Sequence, residues 1–143
     1  MADLDKQAVL AVLDRIIEHE LAGVVRYTHF SFMVFGHGRI PVVKWLREQA
    51  DESLLHAQEA GERITFLGGH PSLGIGALLD AHEHDVDSLL RKSLEGERQA
   101  VTLYRELLAL VKDNSVVLEE YARTMIASEE LHVGEIEKML RRS

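Results

Sequence analysis
Three glutamates in this sequence stand where helical periodicity calls for apolar residues. Glu20 shares its face with Leu13, Ile16, Ile17, Val24 and Tyr27, Glu97 with Leu90, Leu94, Ala100, Val101 and Tyr104, and Glu129 with Ala122, Met125, Ile126, Val133 and Ile136. Residues three, four and seven apart lie on one side of a helix, so each carboxylate falls inside an apolar stripe. Burying it there is costly unless a cation or a hydrogen-bond donor meets it. Histidines accompany these acids. His132 follows Glu129 by three positions on the same face, giving Glu-x-x-His, whereas His56 is preceded at that offset by Ser53 and one position earlier by Glu52. Glu20 and His56 are 36 positions apart and Glu97 and His132 are 35 apart, the spacing of two similar helical hairpins.

Carboxylate oxygens are hard donors that stabilise an oxidised metal, a carboxylate can bridge two ions, and imidazoles complete the coordination while leaving room for an oxidant. Glu20, His56, Glu97, Glu129 and His132 are therefore candidate metal ligands, with Glu129 between the two pairs. A full set of four Glu and two His balances two divalent ions, and Ser53 removes one of those charges. Glu52 is the natural substitute: on a helix it lies about 40° to one side of His56 and Ser53 about 60° to the other, and a small local bulge would swing it inward. The other reading of Glu52 is an exposed i,i+4 partner of His56. His56 itself has neighbours, Gln49, Glu52, Glu59 and Arg63, that also suit a solvated edge.

Positioning such a set takes long helices, and the chain reads as four. The first runs from about Asp3 to Phe35 and stops at Gly36-His37-Gly38. The second has Pro41 in its first turn and the face Leu46, Ala50, Ala57, Ala60, Ile64 and Leu67, up to Gly68-Gly69 with Pro71 beyond. From His70 to about Asp85 the text is too irregular for a long helix and too long for a tight turn, which predicts a crossover along a bundle. The third helix runs from near Asp85 to Lys112. Asp113-Asn114-Ser115 breaks it and caps a fourth, which reaches Arg142 with Lys138, Arg141 and Arg142 suiting its C-terminal dipole. Four helices of about 28 residues, each about 40 Å long, with one long central connection, describe an all-α four-helix bundle of ferritin-like connectivity, one domain over 1–143.

Composition narrows the function classes. The 143 residues are 46% apolar and 28% charged, with a formal charge of −8 and no basic arm, which argues against nucleic acid. The absence of cysteine excludes thiolate zinc, iron–sulfur clusters and cysteine nucleophiles, so any metal is held by His and carboxylates. The acidic opening Met1–Lys6 does not resemble a leader, and no apolar run approaches the roughly 18 residues that span a bilayer, so a cytoplasmic protein without membrane contact is expected.

On these residues the chain resembles the bacterioferritin family over nearly its whole length. Glu20-Leu21-Ala22 through Tyr27 is similar to the family's first-helix ligand and tyrosine. His56-Ala57, Glu62-Arg63-Ile64, Phe66-Leu67, Gly69, Pro71 and Leu73 are similar to its second helix and exit, and Glu97 and Glu129-Glu130-Leu131-His132 fall at the remaining ligands. The resemblance implies a ferroxidase that binds iron at Glu20, His56, Glu97, Glu129 and His132, with Glu52 as the substitute ligand for the position of Ser53 and with manganese or zinc as other ions the set accepts. It would oxidise Fe(II) to Fe(III) with oxygen or peroxide for storage or detoxification. Glu20, Glu97 and Glu129 would then act at the reacting metals and Tyr27 would be an electron donor beside them.

The sequence departs from the family pattern in three places. Ser53 stands where the family has a bridging Glu, and Leu54 stands at the methionine that ligates haem on the subunit dyad, so no haem is expected. Eleven residues follow His132, too few for the short fifth helix of 24-subunit shells, which leads us to expect a smaller homo-oligomer, a dimer at minimum. Two other functions follow from these departures: a manganese or mixed-metal oxidase or peroxidase without storage, and a structural helical module with a degenerate site. Among the remaining residues, Tyr104 is expected to pack, Met33, Met125 and Met139 to fill the core, Glu59 and Glu130 to lie at the surface or behind the ligands, His82-x-His84 to be a solvated loop pair, and His19 to be exposed.

Overall fold
Asp5 opens the first helix, accepting a hydrogen bond from the Ala8 amide at 3.1 Å and so satisfying one of the donors a helix start leaves unpaired. The helix, α1, is Lys6–Met33, and the computed structural model continues with α2 (Arg39–Phe66), α3 (Val86–Val111) and α4 (Val116–Leu140). The structure describes residues 3–79 and 82–141. Met1, Ala2, Asp80, Ala81, Arg142 and Ser143 lie outside the described residues, and with them the expected contribution of Arg142 to the dipole of α4.

The ends of the helices follow their sequence signals. Val34 is extended and Gly36 takes φ 108°, a left-handed conformation that glycine adopts without a Cβ penalty, so α1 ends two residues before Phe35. Pro41 sits in the first turn of α2, and Gly68 at φ 84° closes that helix ahead of Pro71. Asp85 caps α3 through the Ser88 amide at 2.9 Å, and Ser115 caps α4 through the Leu118 amide at 3.3 Å.

Packing pairs α1 with α2, α3 with α4, and α1 with α3. The segment between α2 and α3 follows α1 along the bundle. Ser72 N–H donates to Asp14 Oδ1 at 3.0 Å, Gly76 N–H to the Glu18 carbonyl at 2.9 Å, and the Phe35 N–H to the His84 carbonyl at 3.2 Å, which marks out the length of a ferritin-like crossover. His84 also stacks on Phe35, with ring centroids 3.7 Å apart, and its Nδ1 lies 2.8 Å from the Met33 carbonyl. The pair His82 and His84 is exposed, as a loop reading expects.

The buried apolar residues form two clusters. One gathers Val9, Leu13, Ile16, Ile17, Ala57, Ala60, Ile64 and Tyr104 with Leu107, Leu118, Ala122 and Met125. The other gathers Tyr27, Phe30, Val34, Val43, Leu46, Ala50 and Leu89. Buried Glu20, Arg26, Ser53, His56, Glu97 and Glu129 stand between them, so a polar layer divides the core at mid-bundle. Met139 is exposed rather than core: it lies in the last turn of α4, beyond the reach of either cluster.

Candidate metal centre
Each helix delivers part of this layer. α1 brings Glu20 and Tyr27, α2 Ser53, His56 and Glu52, α3 Glu97, and α4 Glu129 and His132. The i,i+3 and i,i+4 spacings on α2 and α4 place the paired side chains of each helix on one face. His56 is buried rather than at a solvated edge. Its neighbours explain the ambiguity: Glu52 turns toward the imidazole, and Arg63 lies over the Tyr121 ring at 4.6 Å.

The donors converge as two triads that share one residue. Glu20, His56 and Glu129 offer ligand atoms all within 4.8 Å of one another, and so do Glu97, Glu129 and His132. His56 Nδ1 is 3.1 Å from Glu20 Oε2 and 3.1 Å from Glu129 Oε1. His132 Nδ1 is 3.5 Å from Glu129 Oε2 and 3.7 Å from Glu97 Oε2. The two imidazoles are nearly parallel, with centroids 6.5 Å apart and planes at 17°. Glu129 is 2% exposed, and its Oε2 accepts no hydrogen bond although it is buried. A buried carboxylate oxygen without a donor is the sort of group a cation completes, so the residues fit a pair of hard divalent ions.

Glu52 stands apart from this inner set. Its Oε1 lies 3.1 Å from His132 Nε2 and 3.6 Å from His56 Nε2, on the far side of both rings from the other carboxylates. Tyr27 donates its hydroxyl to Glu97 Oε1 at 2.5 Å. Tyr104 packs edge to face on Tyr121 in the core, and Glu130 pairs with Arg105 at the surface.

Protonation follows from the crowding. Burial raises Glu20 to about 7, with partial relief from the His56 hydrogen bond, and burial together with Glu129 raises Glu97 to about 8. Burial opposes charge on His56, yet hydrogen bonds to Glu129 and Glu20 outweigh it and lift the imidazole to about 10. The neighbouring carboxylates of Glu129, Glu52 and Glu97 lift His132 to about 12. Burial would raise Glu129 too, but its neighbours Glu97, His132 and His56 hold it well below the carboxylate range. The triads thus hold protons where ions would otherwise supply the positive charge.

Two residues are placed otherwise than their spacing suggests, or were not singled out by it. His19 is not exposed: its Nε2–H donates to the Gly96 carbonyl at 2.9 Å, and burial together with the Arg26 charge lowers its pKa. A side chain about 100° from Glu20 still reaches α3, because α1 packs on α3 as well as on α2. Arg26 is 3% exposed, with Nε and Nη1 making no hydrogen bond. The signal for it was Gly96: a Cβ there would come within 2.6 Å of Arg26 Nη2 and 3.0 Å of its Cζ.

The family model of the ferritin-like domain matches residues 10–143. The bacterioferritin of Rhodobacter capsulatus is 30% identical over 134 residues, covering 92% of this chain and 82% of that protein. The crystal structure of R. capsulatus bacterioferritin, described with a metal-free dinuclear site and haem iron, superposes with TM-score 0.83 at 28% identity, over 97% of this chain and 86% of the other. A dodecameric thioferritin, the bacterioferritin-related protein of Bacteroides fragilis, superposes with TM-score 0.89 at 25% identity, over 96% and 87%. A ferritin-like diiron-carboxylate protein from Bacillus anthracis str. Ames shares the fold with TM-score 0.89 at 22% identity, over 99% and 100%.

Proposed function
The chain belongs to the ferritin-like domain family, as a bacterioferritin homologue, and on that premise we propose that it is a ferroxidase that takes Fe(II) into the bundle and oxidises it to Fe(III) with oxygen or peroxide. The observation that carries the reading is the sharing of Glu129 by two buried Glu/His triads. Glu20 and His56 would hold one ion, Glu97 and His132 the other, and Glu129 both. Each Fe(II) gives up one electron, so a pair reduces peroxide with two protons to two waters, or oxygen with two protons to one peroxide.

The chain's own residues prepare this step. Glu52 Oε1 lies 3.1 Å from His132 Nε2 and 3.6 Å from His56 Nε2, so it faces the ring nitrogens turned away from the triads, and an Nε2–H held toward it would leave each Nδ1 free to serve an ion. In this arrangement Glu52 acts through the imidazoles, and direct ligation requires it to leave both. Tyr27, hydrogen-bonded to Glu97, is the electron donor of the proposal. Oxidation serves storage or detoxification. The single domain over 1–143 would assemble as a homo-oligomer, a dimer at minimum, and the bacterioferritin-related protein of Bacteroides fragilis, a dodecamer, supports assembly. Haem has no part: Leu54, on the exposed side of α2 beside Leu55, has no atom that ligates iron.

Rapid Fe(II) oxidation, followed by absorbance after an oxygen pulse, should disappear in Glu129→Ala while circular dichroism stays helical. An unchanged rate overturns the assignment. Buried Ser53 favours a second reading, a helical module without metal chemistry. Failure of the metal-free protein to retain any divalent ion at micromolar concentration would establish it.

A further inference from the structure
Arg26 is a permanent charge inside the core that no carboxylate contacts among the described residues. It is 3% exposed, its Nε and Nη1 are unbonded, and its Cζ lies 5.6 Å from the centroid of the Tyr27 ring. A guanidinium keeps its proton in proteins, so the charge persists. Its seat is made by small residues: a Cβ on Gly96, next to Glu97, would collide with the guanidinium. On Gly23 a Cβ would meet Ser53 Oγ at 2.8 Å and Arg26 Nη2 at 3.6 Å, so guanidinium and serine face the same patch of α1. On the inner side of α2, Ser53 therefore offers a neutral hydroxyl with a fixed cation close by.

We propose that Arg26 acts as a resident counter-cation that makes the two metal positions unequal, so that one divalent ion binds tightly and the second is held at least tenfold more weakly. The inference rests on the ferroxidase reading for the existence of two positions, and goes beyond it in assigning their asymmetry to Arg26. The inner layer offers three buried carboxylates, Glu20, Glu97 and Glu129, against this one unpaired guanidinium. A first ion and Arg26 together offset those charges, and a second ion must enter a layer that is already balanced. Because no contact partner cancels the Arg26 charge, its field reaches the ligands through a medium of low dielectric.

Titrating the metal-free full chain with Co(II) alone, read by the visible absorption of the bound ion and by calorimetry, tests this. Wild type should show two steps with constants at least tenfold apart. Arg26→Gln should bring them within threefold by strengthening the second, and Arg26→Lys, which keeps the charge, should preserve the gap. Arg26→Met, which removes the charge and keeps the length of the side chain, should narrow the gap in the same way, and this variant decides the matter if Arg26→Gln does not fold. Two equal wild-type sites, or a gap unchanged in the charge-altering variants, would overturn the role of Arg26 and leave the ferroxidase reading standing. No bound Co(II) at all would overturn both.

Discussion

The hydroxyl of Tyr27 and the carboxylate of Glu97 share a hydrogen bond of 2.5 Å in a site closed to water, and two consequences follow from that contact. Burial, reinforced by Glu97, holds the phenol pKa well above its ordinary value, so Tyr27 stays protonated and can give up an electron only together with a proton. Glu97 is placed to take that proton. When oxidant exceeds bound Fe(II), a transient tyrosyl signal in electron paramagnetic resonance is expected, and it should be missing in Tyr27→Phe. That variant should keep the ion stoichiometry and lose roughly tenfold in oxidation rate, within the range for a group one shell behind the ligands. An unaltered signal in the variant would move the donor elsewhere. At this scale Glu20, Glu97, Glu129 and His132 are legible in the sequence, because a charged side chain inside an apolar stripe contradicts its surroundings. Arg26 is not: long basic side chains normally carry their charge to water, and only the glycine opposite, at 96, leaves a trace of its burial. His19 is illegible for a related reason, since its partner is a backbone carbonyl on another helix, which no sequence pattern announces.

At the scale of elements, the helices could be read from their punctuation. Gly36, Pro41, Gly68, Pro71, Asp85 and Ser115 each act through backbone geometry or capping that depends on residue type alone, and the four helices end within a few residues of them. The path of the crossover is different. Its route is set by hydrogen bonds from Ser72 and Gly76 to Asp14 and Glu18, partners more than fifty positions away that local spacing cannot pair. Gly76 is the glycine that meets backbone: a Cβ there would stand 3.2 Å from the Glu18 carbonyl oxygen, which belongs to a helix and cannot retreat. Gly76→Val should therefore lift the segment off α1 and cost about 1 kcal/mol, lowering the melting temperature by about 3 °C. Hydrogen exchange at the Gly76 amide should accelerate as its bond to Glu18 opens, with the amides of α3 and α4 unaffected. Because Glu18 and His19 precede Glu20 directly, the crossover also braces the turn of α1 that carries a ligand.

Taken whole, the molecule sets two apolar clusters on either side of a layer that carries most of its buried charge, so its stability depends on what neutralises that layer. Without metal the neutralising agents are Arg26 and protons. Glu20 at about 7 and Glu97 at about 8 lie above the ordinary carboxylate value, and His56 at about 10 and His132 at about 12 lie above the ordinary imidazole value. All four shifts have the same sign: across neutral and mildly alkaline pH the folded state binds more protons than the unfolded chain. Stability must then fall as pH rises, the carboxyl contributions fading up to about 8 and the imidazole contributions above about 6.5. The depressed Glu129 has the opposite dependence, confined to acid below the ordinary carboxylate range. Scanning calorimetry of the metal-free protein should thus give a melting temperature lower at pH 9 than at pH 6 by more than about 5 °C. Divalent ions compete with those same protons for Glu20, His56, Glu97, Glu129 and His132, so they bind more tightly as pH rises and their stabilisation grows in the same direction. With saturating Zn(II), which is not oxidised, the decline should flatten or reverse. A melting temperature that ignores pH in the metal-free protein, or falls equally steeply with Zn(II), would show that the layer is neutralised by something other than proton sharing among these side chains.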